Sequence, residues 1–597
     1  MAESKIPNQN AEQLITEHLD IWTTAIEQKS SSGRGSSKKF SLHGIKKLRE
    51  LILELAVRGK LVPQDQNDEP ASVLLERIAA EKAQLVKDKK IKKPKALPAI
   101  SEDEKPFELP KGWEWVRFPD TSYYGPGKTP STKNTDFWAE SSGGIPWVSI
   151  ADLNDVGYVS ETNKQVTLLA KTDIFKREPV PKGTLLMSFK LTVGKVSFLE
   201  MPAFHNEAII SIFPYSGVSK EYLFRVLPNR ANKGNKKNAV MGFTLNSESL
   251  SLLVVPIPPE KEQQRIVAKV DELMGLCDAL EAQTENSITA HQTLVEVLLE
   301  ALLKTPEQNA TPEQTAEQFQ QNWQRLSEHF DTLFTTTASI DTLKQTILQL
   351  AVMGKLVPQN PNDEPASVLL ERIAAEKAQL VKDGKLKKQK PLPEVTEEEK
   401  QFELPHGWEW ARLQSLVTLL GDGLHGTPVY DEKGMYFFVN GNNLLDGVLT
   451  IKPETKRVSD SEYKKYKKDL GDRTVLVSIN GTLGNVAFYN NEPVMLGKSA
   501  CYFNLCSGLE KLFFKRIIES PYFREYAFSK ASGSTIKNLG LKAMNLFSVA
   551  IPSELEQHRI VAKVDELMAL CDQLKARLTD AQTTKLHLTD AIVEQAL

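Results

Sequence analysis

Apolar positions follow two regimes that alternate along the 597 residues. In the first they recur at helical spacing. Leu14, Ile15, Leu19, Trp22 and Ile26 predict a helix over about 10–28; another is predicted over about 42–58, ending at Gly59. Val73, Leu74, Ile78 and Leu85 mark a third from Ala71 to Lys87. In the second regime, over about 107–258 and 402–552, short β-like runs sit among Gly, Pro and aromatic residues. These runs are Gly144–Ile150, Thr184–Phe189, Gly194–Leu199, Met435–Asn440 and Thr474–Ile479. After each such stretch, apolar residues step alternately by four and three: Ile266, Val270, Leu273, Cys277, Leu280, and again Ile560, Val564, Leu567, Cys571, Leu574, Leu578. That is the a/d seam of a coiled coil. The last of these helices, over 556–597, would be roughly 60 Å long at about 1.5 Å per residue. Antiparallel pairing of the two is expected; the alternative is two bundle helices packing on any apolar surface.

The alternation arises because the chain is one half written twice. Leu61–Asp88 recurs as Leu356–Asp383 with 26 of 28 positions identical, the exceptions being Asp65/Asn360 and Gln66/Pro361. Phe107-Glu-Leu-Pro-Lys-Gly-Trp-Glu-Trp115 recurs as Phe402-Glu-Leu-Pro-His-Gly-Trp-Glu-Trp410. Similarity then collapses and returns at Gln264–Met274 and His558–Met568. Inside the inserts, Gly127-Lys-Thr-Pro130 resembles Gly426-Thr-Pro428, and Leu185–Gly194 resembles Val475–Gly484. Glu17-His-Leu-Asp20 echoes Glu328-His-Phe-Asp331, which would let the repeat close cyclically. The expected fold class is α+β: two mixed α/β insert domains separated by two long helices in an antiparallel coiled coil, with a pseudo-two-fold internal repeat. The expected boundaries are an arm and linker over 1–45, a helical region over 46–106, the first insert domain over 107–258 and a coiled-coil helix with spacer over 259–340. The second half follows as a helical region over 341–401, a second insert domain over 402–552 and a final coiled-coil helix over 553–597.

Charge separates the same regions. From Phe118 to Val255, 15 Lys and Arg stand against 12 Asp and Glu; from Leu413 to Ala550 the counts are 17 and 13. The inserts thus carry +3 and +4, leaving −10 for the frame of a chain whose net charge is −3. Positive charge lies where a polyanion reader should have it. The Lys89–Lys95 run reads as a solvated linker, with a DNA-backbone contact as the alternative. No run of 18 apolar residues exists and Met1–Lys5 lacks an apolar signal core, so a cytoplasmic location is expected. Four cysteines fit a reducing compartment; Cys277 and Cys571 sit at equivalent helical positions, and Cys501 and Cys506 lack a second pair for zinc. Gly125-Pro-Gly-Lys-Thr129 and Leu496-Gly-Lys-Ser499 both lack the first glycine of a phosphate loop. The Asn/Asp-Pro-Pro-aromatic, His-Glu-x-x-His and Gly-x-Ser-x-Gly motifs are missing, and the nine histidines show no ligand spacing. No catalytic apparatus and no metal site are expected.

Two identical frames should bind one partner twice, while divergent inserts at equivalent positions should bind two different things. DNA readout has this form, because phosphate contacts position a module and variable side chains select bases. Here the chain resembles the specificity subunit of type I restriction-modification enzymes. The resemblance rests on the doubled insert, on the Phe-Glu-Leu-Pro-x-Gly-Trp-Glu-Trp entries, on Ile145-Pro-Trp-Val148, and on Pro259–Val267 and Pro552–Val561 after the inserts. It implies a non-catalytic subunit whose helical repeats dock two methyltransferase subunits and, through them, restriction subunits. The two inserts would then be target-recognition domains, each reading one half of a bipartite, asymmetric site in double-stranded DNA. S-adenosylmethionine, ATP and Mg would belong to the partners, with no cofactor in this chain. The specificity subunit of a related restriction system without translocation is the near alternative. A structural protein carrying two β-rich protein- or glycan-binding modules on a coiled coil is the distant one, and it leaves the basic inserts unexplained.

Base readers are expected among polar residues in loops at strand ends. The candidates are Lys128, Thr129, Ser149, Asp152, Asn154, Lys190, Thr192, Asn206, Thr244 and Asn246 in the first domain. In the second they are His425, Thr427, Asn440, Asn442, Asn443, Asn480, Thr482, Lys498, Lys537 and Asn538. Lys456, Arg457, Lys464, Lys465, Lys467 and Lys468 are the expected phosphate contacts. A fixed helical spacer predicts a fixed gap between half-sites, altered by insertions near Leu302.

Overall fold

The near-identical repeat folds into the same helix pair twice, His43–Val57 with Ala71–Lys87 and Thr337–Val352 with Ala366–Lys382. A computed structural model of the chain describes residues 11–28, 39–91, 93, 96–139, 143–190, 192–233, 237–239, 242–244, 247–304 and 312–597. Asn246, residues 305–311 and part of the Lys89–Lys95 run lie outside the described residues. The architecture is α+β and divides into two units, one comprising Met1–Asn286 with Gln582–Leu597 and the other Ser287–Ala581.

In each unit the first helix ends at a glycine in the left-handed region, Gly59 at φ +66° and Gly354 at φ +69°. A Cβ at either position would meet the proline of the Phe-Glu-Leu-Pro motif at 2.5 Å, Pro110 or Pro405. Glycine is therefore required by both conformation and contact. The motif's Trp113 and Trp408 are buried beside this turn, and the strand that follows is the entry to the insert. Entry and exit pair antiparallel: Glu114–Arg117 with Val254–Ile257, and Glu409–Arg412 with Ser548–Ile551. Each insert thus leaves and rejoins the frame through one two-stranded clamp.

Beyond the clamps the two inserts share a topology. In the first, Ser122–Pro126, Ile209–Pro214, Leu185–Ser188 and Val196–Leu199 form successive antiparallel neighbours, and Val156–Val159 adds in parallel at the edge. The second repeats the antiparallel order with Val417–Asp422, Ala500–Leu505, Thr474–Ser478 and Val486–Phe488. There a small hairpin, Leu444–Leu445 with Val448–Leu449, stands in place of the edge strand. A three-stranded sheet completes each insert: Ile145–Val148 lies between Phe204–His205 and Lys164–Val166, and Tyr436–Val439 lies between Val494–Leu496 and Arg457–Val458. Strands covered on both faces read as continuous apolar runs, which is why Leu185–Ser188 and Thr474–Ser478 are buried throughout. Leu185 and Met187 join the core around Tyr222 and Leu223, while Leu186 faces a second core with Val148 and Ile209.

The two seam helices run Glu260–Leu303 and Glu554–Ala596. Ile266, Val270, Leu273 and Cys277 are buried in one core with Ile45, Leu48 and Ile52 of the repeat helix, and with Ile592 near the end of the second long helix. Ile560, Val564 and Cys571 occupy the corresponding core of the other unit, where Val295, Leu299 and Leu302 supply the end of the first long helix. The same charges flank both: Arg49 pairs with Asp278 and Glu281, and Lys344 with Asp572. Each seam therefore packs on the repeat helix of its own unit.

The expected helix over 10–28 is corrected. It comprises Ala11–Glu17 and Leu19–Trp22, and Ile26–Gln28 is a strand paired with Lys39–Ser41. The Thr23 and Thr24 hydroxyls donate to the Leu19 and Asp20 carbonyls at 2.7 Å and close the helix. The echo at Glu328–Asp331 has a structural counterpart: His18 and His329 each precede a four-residue helix, Leu19–Trp22 and Phe330–Leu333.

Candidate nucleic-acid interface

In each insert one end of the two sheets gathers several loops, and equivalent backbone hydrogen bonds hold them. Lys128 N donates to His205 O at 2.9 Å and Asn206 N to Val148 O at 3.0 Å; Leu424 N donates to Leu496 O at 2.7 Å and Gly497 N to Val439 O at 2.8 Å. Phe189 N to Ala208 O and Ile479 N to Ser499 O, each 3.0 Å, bring in the next loop. The first crossing demands glycine. A Cβ on Gly127 would lie 1.8 Å from His205 O, and one on Gly423 would lie 2.1 Å from Leu496 O. This register equates Gly127 with Gly423 and replaces the Gly426 alignment suggested by the shared Thr-Pro. The other internal alignment stands, since Gly194 N to Ser188 O and Gly484 N to Ser478 O are both 2.9 Å.

In the first domain Lys128, Thr129, Asn206 and the segment around Lys190 meet at this end. Lys128 Nζ donates to Ile174 O at 2.8 Å, and Thr129 Oγ1 donates to Glu207 Oε2. Glu207 is absent from the polar candidates; its place beside Asn206 is the signal the sequence offers. Lys190 Nζ stands 5.2 Å from the Phe189 ring centroid, and the exposed Thr192 accepts from Ser188 Oγ through its carbonyl. Ser149 and Asp152 form a capping box, in which Asp152 accepts from Ser149 N and Oγ at 2.7 Å each, and from Asn163 Nδ2 at 2.6 Å. Asn154 is exposed but donates to Tyr158 O at 2.9 Å. Thr244 lies in the strand Gly242–Thr244, away from these bonds in sequence. Beneath the loops His205 is fully buried; desolvation lowers its pKa to about 4, so the ring stays neutral and the Phe204–His205 strand keeps an apolar fit.

The second domain brings together His425, Asn440, Asn480, Lys498, Lys537 and Asn538. Asn440 Oδ1 accepts from Ser499 Oγ at 3.0 Å, Asn480 Nδ2 donates to Asn538 Oδ1 at 3.1 Å, and Gly481 N donates to Lys537 O at 2.9 Å. His425 Nε2 lies 2.5 Å from Asp422 Oδ2 on an exposed loop that continues to Thr427. Asn442 and Thr482 are exposed. Asn443 is only 4% exposed, and its amide donates to Thr450 O at 3.0 Å, so it holds the capping box with Asn440 instead of facing solvent. Of the cationic group, Lys456, Arg457, Lys464, Lys465 and Lys467 are exposed and Lys468 half-buried, around the helix Asp460–Tyr466. Arg457 lies 4.5 Å over the Phe437 ring, Lys465 lies 4.9 Å over Tyr466, and Lys464 pairs with Asp460 at 2.6 Å. Tyr436 and Tyr463 stack between them at 3.7 Å.

The profile of the type I restriction modification DNA specificity domain matches residues 110–290 and 405–581, one match on each insert and the start of its following helix. The chain belongs to the type I restriction enzyme specificity subunits. It is 40% identical to the EcoAI specificity subunit of Escherichia coli over 98% of this chain and 100% of the relative. It is likewise 40% identical to the Escherichia coli EcoEI specificity subunit, over 98% of this chain and 99% of the relative. A crystal structure of the HsdS subunit from Thermoanaerobacter tengcongensis aligns over 82% of this chain and 98% of that one, at TM-score 0.39 and 17% identity. In this specificity subunit no described helix is long and apolar enough to cross a membrane, and no group of metal-ligating side chains occurs among the described residues.

Proposed function

We infer that this chain is the DNA-reading subunit of a type I restriction-modification complex, each insert reading one half of a bipartite, asymmetric site. The observation that carries the reading is the doubled family match on two inserts that share an antiparallel strand order and differ in the side chains their converging loops present. Hydrogen-bonding side chains on rigid loop ends suit base edges, while the Lys456–Lys468 group suits phosphates. In this reading the chain has no catalytic role. The near-identical helix pairs dock two methyltransferase subunits, and restriction subunits join through these. S-adenosylmethionine, ATP and Mg then serve the partners. The long helices act as an antiparallel connecting element that fixes the gap; support comes from the end of each, Ile592 or Val295, Leu299 and Leu302, which lies in the core holding the start of the other. Four residues added near Leu302 would change the preferred gap by about one or two base pairs and leave both half-sites as they were, since four helical residues extend roughly 6 Å.

The test is to co-express the chain with its methyltransferase subunit and map modified positions on a random DNA library. A two-part site with a constant gap is expected. Replacing 118–253 with the insert of another specificity subunit should change one half-site only. Modification without sequence preference, or methyl transfer by the purified chain alone, would overturn the assignment.

A further inference from the structure

Between Ser532 and Asn538 the chain makes a closed tip. Ser532 N donates to Asn538 O at 3.0 Å and Asn538 N returns a bond to Ser532 O at 2.9 Å. Gly533 sits at φ +91°, where a Cβ would lie 2.2 Å from Ile536 O, so only glycine permits the turn. The tip is also tied sideways. Gly481 N donates to Lys537 O at 2.9 Å, Leu539 N to Ile479 O at 2.8 Å, and Asn480 Nδ2 to Asn538 Oδ1 at 3.1 Å. On this rigid support Ile536 is 59% exposed and belongs to none of the core clusters, flanked by Ser534, Thr535, Lys537 and Asn538.

A single exposed apolar side chain is ordinary on a soluble surface. Ile536 differs because the fold holds it out at the loop end where the polar candidates meet. The Asn480–Asn538 bond uses one donor and one acceptor of two amides. One carbonyl oxygen and one NH2 group of the pair lie outside this bond, whichever way the amides are oriented. That pair matches the N6 donor and N7 acceptor of adenine, and the same base pair places the thymine 5-methyl on the same major-groove edge.

We propose that the second domain reads an A·T pair in which Asn480 and Asn538 address adenine and Ile536 makes van der Waals contact with the thymine 5-methyl group. This rests on the DNA-reading function proposed above. Cytosine offers C5–H where thymine carries the methyl, so the apolar contact is lost, and its guanine partner presents the O6 acceptor where adenine presents the N6 donor.

Deoxyuridine tests it, because it keeps the base pair and removes only the methyl. The full chain, assembled with its methyltransferase subunit, is titrated by fluorescence anisotropy with duplexes of the mapped site in which each thymine in turn is replaced. At one thymine of the second domain's half-site, wild type should lose roughly fourfold in affinity, the worth of about one buried methyl. The Ile536→Ala variant should bind the thymine duplex more weakly and show no further loss at that deoxyuridine, and Ile536→Val should restore most of the difference. Three outcomes would overturn the inference while leaving the proposed function standing: a half-site without thymine, equal losses in wild type and Ile536→Ala at every deoxyuridine, or an Ile536→Ala defect equal on all duplexes. Absence of any sequence preference would overturn the function and this contact together.

Discussion

The latch that holds each insert to its frame can be broken with one substitution. Arg412, whose side chain is 7% exposed, donates to Glu399 Oε1 at 3.0 Å and Oε2 at 2.6 Å, to Glu394 O at 2.8 Å and to Leu546 O at 2.7 Å. With a further bond to Ser548 Oγ at 3.2 Å, it thereby ties the segment entering the domain to the helix end and strand that leave it. Arg412→Ala removes the cation and leaves carbonyls without donors. Breaking a buried pair by deleting one partner costs about 3–5 kcal/mol. The Glu399 side chain is 40% exposed and can rehydrate, which places the cost near the lower bound, about 3 kcal/mol. Urea unfolding followed by tryptophan fluorescence should show one transition moved to lower denaturant and the other unmoved, because Arg117 makes the equivalent latch to Glu104 in the first unit. Arg117→Ala should move the other transition. The pH dependence follows from Glu399, which its bond to Arg412 lowers from 4.5 to about 2. The latch is fully stabilising above about 4.5 and is lost as pH falls toward about 2. Arg412→Ala should therefore unfold with less dependence on pH across that window. A shift below about 1 kcal/mol, or equal shifts of both transitions, would refute the account of a buried latch local to one insert.

Three further outcomes follow from the interface. Asn538→Ala should cost roughly 1–3 kcal/mol at one base pair and leave non-specific binding unchanged, as measured by anisotropy on single-substituted sites. Replacing Lys464, Lys465, Lys467 and Lys468 with Gln should weaken binding to all sequences equally, with base preference intact. The log-log salt dependence should flatten by about 0.9 for each phosphate that is no longer neutralised. Gly423→Ala must push Leu496 O away from a Cβ otherwise 2.1 Å distant, so the second half-site should lose its preference while the first is still read.

Helices and strands are legible where their signals are local. The helices at His43–Val57 and Ala71–Lys87 fall where apolar spacing and Gly59 place them, and the apolar runs around Leu185–Ser188 and Thr474–Ser478 are central strands. Pairing partners are not legible, since parallel pairs such as Tyr436–Val439 with Val494–Leu496 join residues far apart in sequence. The match of Gly127 to Gly426 follows a shared Thr-Pro, whereas the requirement common to both inserts is a backbone crossing that sequence does not display. Ser149, Asp152, Asn440 and Asn443 show the main ambiguity at the site. Small polar residues after a strand serve equally as turn caps and as base readers, and only burial and hydrogen bonds separate the two. Ile536 escapes for the opposite reason: hydrogen bonding to base edges directs attention to polar types alone.

The division of the inserts' cores explains how two nearly equal frames carry unlike readers. On Thr474–Ser478, Val475 and Val477 belong to the core shared with the repeat helices, while Leu476 belongs to a core internal to the insert. Leu185, Met187 and Leu186 divide in the same way in the first unit. Alternate positions of one strand therefore answer to the frame, which is constant, and the intervening positions answer only to the insert. Lys128, Lys190, Asn480 and Asn538 themselves belong to neither core; their loops are held by buried neighbours such as Phe189, Ile479 and Leu539 and by backbone hydrogen bonds, which any residue other than proline can supply. Substitution there alters the surface offered to a ligand without disturbing what holds the loop. The exceptions are the glycines at the crossings, 127 and 423, and at the tip, 533, where close backbone approach forbids a side chain.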